Sequence, residues 1–180
     1  MLILLLGLGL FIVPHLFREA GARDRLISRL GPSGYKGFYS LMSLAGLALI
    51  IYGKSRAPFV QLWEPVFEYR WLSLALMIPS LTLVAAGNLP DSALKTRIGH
   101  PLLVGVLLWA LAHLWANGDL ASVLLFASLG FWATLKALTL PRANAVAANR
   151  WDPASLGIGL VAYALLVIFH DSLFGVGLSL

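Results

Sequence analysis

The chain has 180 residues, 59% of them hydrophobic and only 12% charged, with a mean hydropathy of +0.86. Soluble domains are typically about 45–50% apolar and about 25% charged, so a water-soluble enzyme is excluded, as is a disordered chain, which needs the opposite balance. There is no cysteine, which excludes a disulfide scaffold, a thiolate metal site and cysteine catalysis, and the net charge of +5 falls between apolar runs, as in membrane topology rather than nucleic-acid binding.

Six uncharged apolar stretches follow one another, at residues 2–17, 37–53, 71–89, 101–118, 120–135 and 153–169. Each has 16 to 19 residues, about 24–29 Å as a helix at about 1.5 Å per residue, which is close to the hydrocarbon thickness. Lipid admits only helices or closed barrels. The runs are continuous rather than alternating, so the sequence reads as all-α: a polytopic membrane bundle of six transmembrane helices in one domain, residues 1–180.

The first run lacks the positive start of a cleaved signal peptide and is followed by Arg18, Arg23, Arg25 and Arg29. It is expected to stay as an anchor with its N-terminus outside. Pro14 is expected to kink it. Leu30-Gly31-Pro32-Ser33-Gly34 breaks the chain before the second run. Residues 58–69 mix aromatics with Glu64 and Glu68 and are expected to lie in the interface as a short amphipathic piece. Pro79 should kink the third run, and Gly87-Asn88-Leu89-Pro90-Asp91 closes it. His100-Pro101 opens the fourth. Asn117-Gly118 ends it and Asp119 caps the fifth, making a tight hairpin. The tail over 172–180 is too short to cross again.

Ten cations, Arg18, Arg23, Arg25, Arg29, Lys36, Lys95, Arg97, Lys136, Arg142 and Arg150, fall on one side, against Lys54, Arg56 and Arg70 on the other. The first side is expected in the cytoplasm, with both termini outside, in a multi-pass protein of the bacterial inner membrane.

Polar groups inside a membrane are functional suspects. No acidic or basic side chain falls well inside a run, but His15, His100, His113 and His170 lie in or at the ends of runs. Imidazole suits haem iron, copper or zinc. A helix-end hydrogen bond accounts equally well for His100 and His170, whereas His113 stands 12 residues beyond Pro101. By depth alone His15 pairs with His100, and His113 with His170. The pairs Gly7/Gly9, Gly157/Gly159 and Gly175/Gly177 follow no strand and are expected to serve close helix packing.

The fourth run, Gly99-His100-Pro101-Leu102-Leu103-Val104-Gly105-Val106-Leu107-Leu108-Trp109-Ala110-Leu111-Ala112-His113 and on to Asn117-Gly118-Asp119, resembles the signature of the NnrU family. His15 with Arg18, the Gly34–Ser40 run and Phe169–Val176 are similar to it too, so the likeness covers nearly the whole chain. That family includes the 15-cis-ζ-carotene isomerase, a haem b membrane enzyme, and bacterial members associated with nitrite and nitric oxide reduction. The resemblance implies haem b, with His15 and His113 as axial ligands of the iron; His100 and His170, offered by depth rather than by the resemblance, are the alternatives. Arg18 and Arg97 would stand near the propionates, with Trp109 beside the group. Two departures stand out: Gly99 where family members commonly have Arg before His-Pro, and Ala110 where the isomerase has a cysteine.

Three functions are thereby expected, the first of them foremost. The first is a haem b protein of redox or nitrogen-oxide metabolism. The second is a haem-dependent cis–trans isomerase of a polyene. The third is a non-catalytic scaffold or assembly factor. The expected partners are the lipid bilayer and a hydrophobic small molecule or nitric oxide.

Overall fold

The computed structural model describes residues 1–141, 147–175 and 178, with the backbone only at Phe67. Arg142 of the charge count, and Val176 and Gly177 of the closing motif and glycine pairs, lie outside the described residues. The described residues form seven helices: α1 (Leu2–His15), α2 (Arg23–Ser55), α3 (Arg70–Asn88), α4 (Ala93–Ile98), α5 (Pro101–Ala116), α6 (Leu120–Thr139) and α7 (Trp151–Phe174). The all-α reading therefore holds. The count of crossings is coarser than six: α2, α3, α6 and α7 are long and apolar enough to cross a membrane, whereas α1 and α5 are apolar but shorter.

Local chemistry explains where the boundaries moved. Pro14 does not kink a longer helix; α1 ends one residue after it. The chain then unwinds through tighter bonds, Leu16 N–H to Val13 O and Phe17 N–H to Pro14 O. α2 starts well before the expected residue 37, because 23–30 is itself helical, and Gly31 joins the two parts at φ +70°. That angle is open to glycine and strained for other residues, and Pro32 then starts the second part with its ring pre-set for a first turn. α3 runs unbroken in assignment past Pro79. The short α4 was not expected. Ser92 caps it by accepting from Lys95 N–H, and Gly99 ends it at φ +81°. α6 extends past Lys136, whose long stem lets a charged residue stay in an apolar helix.

Residues 58–69 are not an amphipathic helix. Apart from a 3₁₀ turn at Phe67–Tyr69 they carry no helix, and Gln61 pairs with Asp119 as an isolated antiparallel bridge. Leu62 and Trp63 donate N–H bonds to Gly118 O, and Leu120 N–H donates to Val60 O.

The chain divides into two compact units. The first comprises Met1–Glu64 with Gly118–Ser128, and the second Pro65–Asn117 with Leu129–Leu180. In the first, α1 and α2 run antiparallel with their backbones in contact. A Cβ on Gly7 would stand 2.6 Å from Ile50 N, and one on Gly46 2.6 Å from Phe11 N. In the second, α3 packs against α5 and α7. Gly105 meets the backbone of Ser80 and Val84, Gly87 meets Leu102, and Gly159 meets Thr82. The close-packing use expected of Gly7 and Gly159 is what they have; Gly9, Gly157 and Gly175 would have open space around an added Cβ.

Candidate functional site

The histidines divide between the units, His15 in the first and His100, His113 and His170 in the second. His15 is the last residue of α1 and half-buried. Its Nδ1–H donates to Phe11 O, one turn back, at 2.6 Å. The ring stacks on Phe11 at 4.5 Å and meets Tyr39 of α2 at 5.0 Å between centroids. Arg18 follows it as an exposed residue of the turn after α1.

His113 repeats the arrangement on α5. Its Nδ1–H donates to Trp109 O at 2.8 Å, and the Trp109 ring lies 5.0 Å away. Asn117 ties off the same turn, its side-chain amide donating to His113 O at 2.9 Å. A Nδ1–H held by a carbonyl fixes the tautomer, so the ring's lone pair is on Nε2, the usual arrangement of a metal-ligating imidazole. His113 and His170 of α7 are close enough to interact electrostatically, and the His170 ring packs on Phe174 at 5.0 Å.

His100 behaves differently. It stands at the N-cap of α5, and its Nε2 bonds Leu140 O at 3.0 Å, tying the end of α6 to the start of α5. Thirteen residues separate it from His113, about 20 Å along a helix, so the two are at opposite ends of α5. Arg97, exposed in the last turn of α4, lies at the His100 end. Among the described residues no group of three or more His, Asp or Glu side chains is placed to hold a metal ion.

Sequence reading missed the aromatic partner Phe11, and took in Phe174 only as part of the Phe169–Val176 run. Tyr39 entered it only as part of the Gly34–Ser40 run, and nothing in spacing alone points it at His15. It also missed the Lys54 partner of Asp119, 65 residues away.

The sequence model of the family described as NnrU protein matches residues 3–178. The chain belongs to the NnrU family. The match takes in every described helix but the first residue of α1, and so covers both histidine-bearing units. No curated protein and no solved structure matches the chain. Family membership thus rests on the sequence pattern, and the geometry of the histidines is what this structure adds to it.

Proposed function

We propose that this NnrU-family chain is an integral membrane protein that binds haem b and serves redox or nitrogen-oxide metabolism. One observation carries the reading: His15 and His113, the two residues the family resemblance marks, each lock Nδ1 to the carbonyl one turn back on their own helix. Each bond is local to its own helix and sets the tautomer of the imidazole without drawing on a neighbouring helix. The rings of Phe11 and Tyr39 pack on His15 and that of Trp109 on His113, which gives each imidazole apolar surroundings of the kind a porphyrin needs. Bound haem would supply one-electron chemistry or an iron site for a diatomic ligand. The protein's part is to hold Nε2 in place and keep water from it.

A second ligand set has one observation in its favour, the presence of His113 and His170 in the same compact unit. His15→Ala and His170→Ala separate the two: only the true partner of His113 abolishes the low-spin spectrum. A purified protein that stays colourless when supplied with hemin would leave the scaffold reading.

The membrane reading includes α1 and α5, giving six crossings of the inner membrane with both termini outside. It is supported by contacts that join segments expected on one side. Lys54 meets Asp119, and Trp115 Nε1–H donates to Tyr69 O at 3.1 Å, on the outer side. Asn149 donates to Asp91 O at 3.0 Å, and Leu94 N–H to the Asp152 carboxylate at 2.8 Å, on the inner side. Fusion of a periplasm-dependent reporter to each terminus tests the orientation; activity at neither end would overturn it.

A further inference from the structure

The stretch between α1 and the apolar part of α2 builds a groove that neither the histidines nor the helix packing uses. Ala22, Arg25, Leu26 and Arg29 lie at i, i+3, i+4 and i+7, on one face of the first part of α2. Phe17, just past the end of α1, and Phe38 of the second part of α2 close the groove, their rings parallel within 6° and 6.4 Å apart. The cavity has about 390 Å³ and a lining almost wholly of carbon, to which Arg25 and Arg29 both contribute. Among the described residues no carboxylate pairs with Arg25 or Arg29. The neighbouring Arg23, by contrast, is held by Asp24 at 3.3 Å.

We infer that this groove is a binding site for an anionic phospholipid, its phosphate between Arg25 and Arg29 and one acyl chain against Phe17, Leu26 and Phe38. Charge complementarity names the occupant. An apolar slot alone fits any acyl chain, but the two unneutralised guanidiniums of Arg25 and Arg29 select a headgroup with net negative charge, and Arg binds phosphate through paired N–H donors. The position agrees, since the groove opens where the helices leave the apolar run and the chain turns cationic, at the depth of lipid phosphates. The kink at Gly31 is what turns the cationic face of 23–30 toward Phe38. This assignment rests on the membrane reading but not on haem. Failure of membrane insertion would show as no lipid carried at all, and loss of haem as an altered spectrum with lipid retained.

The test is native mass spectrometry of the full chain in mild detergent, titrated with phosphatidylglycerol or with phosphatidylcholine of the same acyl chains. Phosphatidylglycerol is expected to be retained at least about tenfold more tightly, with Arg25→Gln/Arg29→Gln removing the difference. Arg56→Gln, in the loop at the other end of α2, is expected to leave it unchanged. Ala22→Trp, which fills the groove and keeps both charges, is expected to lower retention as well. Inorganic phosphate at millimolar concentration should not displace the lipid. Equal retention of the two lipids, an unchanged double variant, an equal loss in Arg56→Gln, or displacement by inorganic phosphate would each overturn the assignment. So would a double variant that shifts the haem spectrum while keeping its lipid, because the arginines would then serve the porphyrin.

Discussion

Lys54 Nζ lies 3.1 Å from the Asp119 carboxylate, joining the end of α2 to the start of α6 across 65 residues of sequence. Asp119 is buried and also accepts from the N–H and the hydroxyl of Ser122. Its Oδ1 accepts both the Ser122 N–H that caps α6 and the Lys54 ammonium that anchors α2, while its Oδ2 accepts the Ser122 hydroxyl.

Asp119→Ala removes both functions. It is expected to lower stability by about 2 kcal/mol, at the upper end of a lost cap. Lys54→Met is expected to cost under about 1 kcal/mol, because the ammonium is partly exposed. Unfolding of the two variants in the same detergent measures both, and equal losses would mean that the cap contributes little.

The same carboxylate sets a pH dependence. Burial by itself raises an Asp, but the Ser122 hydroxyl and N–H and the Lys54 ammonium outweigh it and hold Asp119 below its ordinary value. The folded pKa being the lower one, its stabilising contribution is fully present above the unfolded value of about 4 and disappears as pH falls through the folded one. The stability gap between the unsubstituted chain and Asp119→Asn should be flat from pH 8 to 5, in rough terms, and narrow below about pH 4. A gap that grows on acidification would contradict the hydrogen-bond geometry.

Gly46→Val should break the α1–α2 contact, because its Cβ would stand 2.6 Å from the Phe11 backbone. A loss of roughly 3 kcal/mol or more is expected, since backbone on both sides must move. Gly9→Ala is the control, with open space at its Cβ. It should be neutral or stabilising by up to about 1 kcal/mol.

Ser80 donates a buried 2.8 Å bond to Gly105 O, linking α3 to α5. Bonds of this type between membrane helices average about 0.6 kcal/mol, so Ser80→Ala should cost about that much. A much larger loss would place Ser80 in something other than packing.

His113→Ala should abolish the absorption of a low-spin haem, and Trp109→Ala should shift it while leaving it present. Oxidised and reduced spectra of the purified variants read both. Retention of an unchanged spectrum in His113→Ala would remove that residue from the ligand set.

Most of the helices were legible because their cause is local. Uninterrupted apolar runs must satisfy their own backbone in lipid, and Gly31-Pro32 acts within one turn. Boundaries shifted where a charge is tolerated inside a helix, as at Lys136, or where a proline ends one early, as after Pro14. The course of 58–66 was not legible, since its N–H and C=O partners are at residues 118–120.

The sequence by itself determined that this chain is helical, apolar and a member of the NnrU family, and it picked out four imidazoles. Only the tertiary structure separated them. It engaged His100 with a loop carbonyl, set His113 and His170 in the same compact unit, and set His15 against Tyr39. The physical reason is range: helix formation is decided by neighbours three and four residues away, whereas the company a side chain keeps depends on how distant helices pack.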